Sequence, residues 1–152
     1  MVRISTASDC KAVYDLICGM EQKTLPYETF EAIYLGQLAR EDFCCLVAEE
    51  DGSVIAMLNL RFERQLHHCE TIAEIMEFAV AEGSRSKGLG AQMMEAACET
   101  ALQAGCSQME VACNQLRTDT HRFYLREGMH NFHFRFSKRL SGEDCSENAF
   151  GR

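Results

Sequence analysis

The sequence is poor in the features that mark disordered, membrane-spanning and nucleic-acid-binding proteins. Its 152 residues include one proline, Pro26, and 47% are hydrophobic, which argues against disorder over most of the chain. No apolar run approaches the length that crosses a membrane, and the first residues lack the layout of a signal peptide. Basic residues are scarce as well, since 15 Lys and Arg stand against 23 Asp and Glu. The net charge of −8 disfavours a nucleic acid partner and favours a cationic substrate such as an amine.

Paired cysteine motifs are also missing, although the chain has nine cysteines. No C-x-x-C pair occurs and the count is odd, so neither a disulfide framework nor a cysteine-based metal site is indicated. Several of the cysteines fall on apolar stripes, where a free thiol behaves as a small buried hydrophobe. This usage of cysteine predicts a protein of the reducing cytoplasm.

The hydrophobic pattern predicts one α/β domain over residues 1–140, followed by a polar and loosely held tail over residues 141–152. The element order is β-α-α-β-β-β-α-β-α-β, which describes a sandwich of a mixed sheet and helices. Strands are predicted at residues 2–5, 43–49, 54–62, 75–80, 109–112 and 132–138. The stretch 63–70, which contains His67 and His68, is predicted to be a loop.

The segment 85–90, Arg-Ser-Lys-Gly-Leu-Gly, lies between a predicted strand and an amphipathic helix. A basic turn with glycines at the start of a helix directs backbone N–H groups and the positive helix end toward one spot, which suits a phosphate group. The spacing of Gly83 and Gly88 is that of a P-loop, but Leu89 and Gly90 stand where Lys and Ser or Thr are required. The sequence therefore excludes an ATP-binding loop of that kind.

A dinucleotide site is the second phosphate-binding alternative. Gly88 and Gly90 begin a G-x-G-x-x-G pattern, and Glu110 follows at the distance of a ribose-binding acid. However, Met93 replaces the third glycine and the chain lacks a repeated βαβ pattern. The dinucleotide interpretation is accordingly the weaker one.

The segment also matches the pattern R-x-x-G-x-G, and five further stretches accompany it. They are Glu-Ile-Met-Glu at 74–77, Asn114 at the end of the next strand, His-Arg-Phe-Tyr-Leu-Arg-Glu-Gly at 121–128, and His-Phe-Arg-Phe-Ser-Lys at 133–138, with Leu-His-His at 66–68. Over residues 3–140 the chain thus resembles the GNAT superfamily of N-acetyltransferases, and within it the aminoalkylphosphonate N-acetyltransferases. Arg117, Thr120 and Met129 depart from the common pattern, which leaves the fine substrate pocket open.

The resemblance implies a GNAT fold with a mixed, mostly antiparallel sheet, and direct transfer of an acetyl group from acetyl-CoA to the primary amine of a small molecule. Its implied cofactor-binding residues form two groups. The pyrophosphate is expected on the backbone amides of Ser86, Lys87, Gly88, Leu89 and Gly90, with charge from Arg85 and Lys87. The pantetheine arm is expected along Phe78, Ala79 and Val80, where an amide can also stabilise an oxyanion, and beside Asn114.

The same resemblance implies three proton-transfer residues. The substrate ammonium must lose a proton before it attacks, and Glu74 matches the family's base, with Glu77 as the second candidate. Strict alternation sends these two side chains to opposite faces of the sheet, whereas a bulge would bring them closer. Tyr124 is the candidate acid that protonates the departing thiolate.

Other roles stay open in the sequence. His67 and His68 are candidate substrate-binding residues and, with a glutamate of the strand, candidates for a divalent metal, although two ligands do not make a site. A phosphonate would need a counter-charge, for which the candidates are Arg64, Arg122, Arg126, Arg135 and Lys138.

The function and the assembly also have alternatives. The acceptor can instead be a polyamine, an amino sugar or a protein N-terminus, or the chain can be a non-catalytic acetyl-CoA-binding module. Retention of Glu74, Glu77 and Tyr124 together counts against a pure binder. Many relatives pair through terminal strands, so a homodimer is expected, with packing by Phe132, Phe134 and Phe136.

Overall fold

The computed structural model describes residues 1–85 and 87–141. The chain forms two compact units, Met1–Val111 and Ala112–Arg152, of which the second is described as far as residue 141. The predicted tail beyond Ser141 and the predicted contact of Ser86 with a pyrophosphate lie outside the described residues. The one-domain organisation stays a prediction.

The first unit is a five-stranded sheet with helices. Its elements are β1 (Val2–Ile4), α1 (Cys10–Glu21), α2 (Tyr27–Leu38), β2 (Phe43–Glu50), β3 (Ser53–Gln65), β4 (Glu70–Val80), α3 (Leu89–Gln103) and β5 (Cys106–Val111), with short 3-10 turns at Ala7–Asp9 and Glu82–Ser84. The strands lie in the order β1-β2-β3-β4-β5. The first three pairs are antiparallel and β4 pairs parallel with β5. This arrangement confirms the predicted mixed, mostly antiparallel α/β sheet.

Apolar side chains cover both faces of this sheet. On one face, buried residues of β2, β3 and β4 pack with buried residues of α1 and α2. The residues of this cluster are Cys10, Val13, Ile17, Tyr34, Cys45, Val47, Met57 and Ala79. On the other face α3 buries Met93, Met94, Ala97 and Ala101, which recur at the helical period of three to four residues. We call the first of these, on which Glu74 and Glu77 lie, the α1/α2 face.

In the described part of the second unit, residues 112–141, there is one helix, α4 (Thr118–Arg126). The predicted strand at residues 132–138 is wrong within the described structure, because residues 131–139 have no regular secondary structure. Phe132, Phe134 and Phe136 are 80%, 80% and 91% exposed. Alternating phenylalanines satisfy the side-chain pattern of a strand, but a strand also requires a neighbouring backbone to pair with.

No helix among the described residues is both long and apolar enough to span a bilayer.

Candidate active site

A bulge in β4 brings the two candidate base residues to one face of the sheet. Glu77 lies opposite Asn59 of β3, but the next pair is Ile75 with Leu60, so Met76 has no residue opposite it. Beyond the bulge Glu74 lies opposite Arg61. Because residues 59 and 61 point to the same side of β3, their partners Glu77 and Glu74 do so too. The structure thus realises the bulged alternative rather than strict alternation.

Glu74 is engaged in an ion pair. Its Oε2 accepts a hydrogen bond from Arg61 Nη2 at 2.8 Å, and the two side chains are 19% and 33% exposed. The same Arg61 nitrogen lies 3.6 Å from Glu63. The Glu74 carboxylate is thus held in place by the Arg61 guanidinium through a charge-assisted hydrogen bond.

Glu77, like Glu74, is half-buried. Its Oε2 accepts a hydrogen bond from Asn59 Nδ2 at 2.9 Å. Burial raises the pKa of Glu77 above the ordinary value, the hydrogen bond from Asn59 acts in the opposite direction, and the charge of Glu74 raises the pKa further. A raised pKa lies closer to neutral pH than the pKa of an ordinary carboxyl. A general base accepts a proton most effectively when its pKa is near the working pH.

The parallel ladder between β4 and β5 ends next to these carboxylates. Its last pair is Ile75 with Val111, and beyond it residues 77–80 pair with β3 on their other side. The predicted pantetheine-binding residues Phe78, Ala79 and Val80 lie in this stretch. An extended backbone edge of this kind can hydrogen-bond a ligand that lies along it as an added strand would.

The chain after β4 forms a tight turn that leads into α3. A single 3-10 turn over Glu82–Ser84 precedes Arg85, whose Nε lies 3.4 Å from the carbonyl oxygen of Val80. Gly88 has a φ of +76°, a conformation that L-residues rarely adopt, and it stands at the N-cap of α3. Since glycine has no side chain that could cap the helix, the first N–H groups of α3 and the exposed Lys87 are suited to an anion.

The second unit holds the candidate residues of the later motifs. Asn114 Oδ1 accepts a hydrogen bond from the backbone N–H of Leu116 at 2.8 Å, and its carbonyl oxygen lies 2.7 Å from His121 Nε2. The carboxamide oxygen of Asn114 is therefore committed to the turn before α4, which leaves Nδ2 as the side-chain group for a ligand.

Tyr124 is the buried residue of α4. Burial is the main cause that raises the pKa of Tyr124 to about 12; Cys113 raises it further and Arg117 opposes it. A phenol with this pKa stays protonated at neutral pH, which is the state that a general acid or a hydrogen-bond donor requires.

Comparisons with known proteins agree with this geometry. The profile of the Acetyltransferase (GNAT) family matches residues 10–129. The chain belongs to the GNAT acetyltransferase family. It is 37% identical over 139 residues to an aminoalkylphosphonate N-acetyltransferase of Salmonella typhimurium, which covers 91% of this chain and 90% of that protein. The chain is thus an acetyltransferase, and enzymes of this family use acetyl-CoA.

Two solved structures show the same fold at lower identity. A glucosamine-6-phosphate N-acetyltransferase from Arabidopsis thaliana matches with a TM-score of 0.77 and 22% identity, over 92% of this chain and 97% of that one. An aminoglycoside N-acetyltransferase in complex with CoA matches with a TM-score of 0.83 and 14% identity, over 93% and 94%.

His67 and His68 lie at the tip of the hairpin between β3 and β4. Their ring centroids are 4.1 Å apart, and His68 Nδ1 lies 2.6 Å from Gln65 Oε1. The last strand pair before the hairpin loop is Gln65 with Glu70. Glu70 lies four residues from Glu74 along β4, which is about 13 Å in an extended strand. No group of three or more potential metal ligands occurs among the described residues. A substrate-binding role of His67 and His68 stays a prediction.

Sequence reasoning missed three residues that hold the carboxylates: Arg61, Asn59 and Gln37. The signal was present in part, because Asn59 and Arg61 are polar residues inside a strand that is otherwise apolar. A polar side chain at an inward position is normally hydrogen-bonded, so it predicts a buried partner. Which partner it has depends on the register between β3 and β4, and the sequence does not specify that register.

We expect Glu77→Gln to stabilise the acetyltransferase at neutral pH. The folded state raises the pKa of Glu77, so the charged carboxylate opposes folding once the pH exceeds the ordinary value of 4.5. Below that pH the group is protonated in both states and the effect vanishes. Thermal denaturation of E77Q should therefore give a midpoint a few degrees above that of the wild type at pH 7.5, and a smaller difference at pH 4.

Glu74→Gln is the matched control for this prediction. It removes the partner of Arg61, so its midpoint at pH 7.5 should fall rather than rise. If the midpoint of E77Q at pH 7.5 lies at or below that of the wild type, the charged Glu77 side chain does not destabilise the folded state and the prediction is wrong.

Proposed function

We propose that the enzyme transfers an acetyl group from acetyl-CoA directly to the primary amine of a small molecule, with an aminoalkylphosphonate as the leading acceptor. The observation that carries this proposal is the half-buried Glu77 carboxyl with its raised pKa, which shares a face of the sheet with Glu74 beside the end of the β4–β5 ladder. A base of this kind is what an ammonium substrate needs before it can act as a nucleophile. The similarity to the Salmonella typhimurium enzyme supports the acceptor class.

The donor side rests on backbone groups more than on side chains. The edge of β4 at residues 76–80 is suited to the amide groups of a pantetheine arm, and the turn at Gly88 with the start of α3 is suited to a pyrophosphate. Lys87 and Arg85 add positive charge. Acetyl-CoA supplies the activated acetyl group when it is bound there.

We assign the base role to Glu77 and an electrostatic role to Glu74. Glu74 is occupied by the ion pair with Arg61. Glu77 is half-buried with a raised pKa, and its charged form is favoured by the hydrogen bond from the neutral amide of Asn59. Glu77 therefore takes the proton of the amine, and Glu74 favours the approach of the cationic amine.

Tyr124 is proposed to donate a proton to the departing thiolate. Its high pKa, about 12, keeps the phenol protonated at every pH at which Glu77 is a working base. Asn114 is proposed to contact the pantetheine arm through Nδ2. The two residues belong to the same unit and are joined by the turn that precedes α4.

The charge of the second unit supports an anionic group on the acceptor. Although the whole chain is acidic, residues 112–141 are rich in Arg and Lys. The basic residues are Arg117, Arg122, Arg126, Arg135, Lys138 and Arg139, and the acidic ones are Asp119 and Glu127. A phosphonate is recognised by such side chains through charge-assisted hydrogen bonds, which neither a polyamine nor a neutral amino sugar requires.

A screen of amines tests the proposed reaction. Release of free CoA thiol is measured with acetyl-CoA and aminoethylphosphonate, glucosamine 6-phosphate, spermidine or an N-terminal peptide, each with and without EDTA. We expect release with aminoethylphosphonate and little change on addition of EDTA. Release with spermidine alone would overturn the acceptor class, and release with none of the amines would overturn the proposed function.

We expect Tyr124→Phe to reduce kcat about 100-fold, since general acid catalysis contributes about 10²- to 10⁴-fold. The KM for acetyl-CoA should stay within about twofold, because the ring and its packing are retained. Tyr27→Phe is the matched control, since a hydrogen bond with Glu31 and, to a lesser extent, burial raise the pKa of Tyr27 to about 12, and Tyr27 lies on α2 in the first unit. An unchanged kcat in the Tyr124 variant would remove the acid role.

We also propose that the enzyme is a homodimer that works in the cytoplasm. The extended segment with Phe132, Phe134 and Phe136 exposes one row of rings, a pattern suited to pairing with a second copy. The eight described cysteines are all free thiols, as a reducing compartment permits.

Light scattering after gel filtration tests the dimer. The wild type should elute at twice the chain mass, and a variant with Phe134→Ser and Phe136→Ser should elute as a monomer. Leu102→Ser is the control, because Leu102 is also exposed but lies on α3. A monomeric wild type at about 50 μM, well above the dissociation constants of stable dimers, would contradict the proposal.

A further inference from the structure

Asn59 is a buried polar residue on an otherwise apolar stretch of β3. It is 6% exposed, and it lies between Cys45 of β2 and Glu77 of β4 in the register of the sheet. Its Nδ2 donates one hydrogen bond to Glu77 Oε2 and a second to Gln37 Oε1, both at 2.9 Å. A single carboxamide thus joins the carboxylate on β4 to the last turn of α2.

The orientation of this carboxamide is fixed by its two acceptors. Nitrogen has two hydrogens, and each is directed to an oxygen, whereas the reversed amide would place Asn59 Oδ1 against those same oxygens. Asn59 Oδ1 is itself buried and has no hydrogen-bond partner among the described residues. A buried acceptor without a partner lowers the stability of the fold. The favourable contribution of Asn59 therefore comes from the two oxygens that accept hydrogen bonds from its Nδ2.

Gln37 gives this arrangement its second fixed point. The residue lies in the last turn of α2, a helix whose Tyr34 is part of the apolar cluster of the α1/α2 face. Because Gln37 accepts the second hydrogen of Nδ2, the amide of Asn59 cannot turn away from Glu77 without losing a buried hydrogen bond. The helix therefore braces the carboxylate from outside the sheet.

We propose that Asn59, braced by Gln37, is the positioning residue that orients the Glu77 carboxylate and keeps it ionised for proton acceptance. This inference rests on the proposed function, in which Glu77 is the base. Asn59 does not touch the reacting atoms in this account; it acts through Glu77.

Few charged or titratable groups face Glu77 from the packed elements. They are Glu74 on its own strand, Arg61 on β3, Cys45 on β2, Cys10 on α1 and Tyr34 on α2. Burial raises the pKa values of Cys10, Cys45 and Tyr34, so these three are neutral at the pH of catalysis. The two influences that can be changed separately are the hydrogen bond from Asn59 and the charge of Glu74.

These two influences act on Glu77 in opposite directions. Loss of the Asn59 donor removes a bond that favours the ionised form, so the pKa of Glu77 should rise. Loss of the Glu74 charge removes a repulsion, so the pKa of Glu77 should fall. A merely structural role of Asn59 does not predict the first shift, whereas the second is expected from the charge of Glu74 alone.

The test measures the titration of Glu77 directly by NMR of the full chain labelled with ¹³C at glutamate side-chain carboxyls, without substrates. The Glu77 signal is identified by its loss in E77Q. Asn59→Leu, which keeps the size and removes the donor, should move the titration to higher pH, and Glu74→Gln should move it to lower pH. Cys45→Ala is the matched control, because it removes an equally buried neighbour without touching the hydrogen bonds, and it should leave the titration in place.

The same variants are then compared by their pH profiles of kcat/KM. The base must be ionised, so the acidic limb should follow the titration: Asn59→Leu should lose about tenfold or more at pH 6 and recover toward high pH. If Asn59→Leu does not fold, Gln37→Met breaks the brace from the side of α2 and should give a smaller shift in the same direction.

The outcomes separate the inference from the proposed function. A Glu77 titration that stays unmoved in both the Asn59 and the Gln37 variant overturns the inference, and so does a titration that moves while the acidic limb does not. In both cases an active wild type leaves the acetyl transfer standing, and the second result also removes Glu77 as its base. A wild type that is inactive with every amine overturns the proposed function by itself.

Discussion

The bulge at Met76 is the constraint on which the site depends. A regular β4 would place Glu74 and Glu77 on opposite faces of the sheet, one toward α3 and one toward α1 and α2. With one residue left unpaired, both carboxylates lie on the α1/α2 face, opposite Arg61 and Asn59. The ladder with β5 ends one residue before the bulge, so the same part of the strand presents both the carboxylates and a backbone edge.

The α1/α2 face combines an apolar core with two carboxylates, and each carboxylate has a polar partner. Glu74 has a guanidinium partner, whereas Glu77 has an amide partner that is itself held by Gln37. A charged partner would hold Glu77 permanently ionised, and no partner would leave it protonated. An amide donor gives an intermediate situation, in which the carboxylate exists and still accepts a proton.

Much of the first unit follows from local sequence. The alternating and continuous apolar runs predict the strands from β1 to β5, because each run has neighbours of matching pattern that it can pair with. The same reasoning fails at residues 132–138, where the alternation of Phe132, Phe134 and Phe136 is as regular as in any strand. Side-chain alternation depends on one segment alone, whereas a β-strand needs a second segment to pair with. The described residues provide no pairing segment for residues 132–138.

The sequence by itself determined the family, the order of the elements in the first unit and the set of candidate residues, because motif spacing and hydrophobic period are local properties of the chain. Only the tertiary structure decided which candidates meet. Asn59, Gln37 and Glu77 are distant in the chain, and the register of β3 against β4, with its one-residue shift, brings them within hydrogen-bond distance. That register is set by the packing of whole faces of the sheet against α1, α2 and α3, which no single segment encodes.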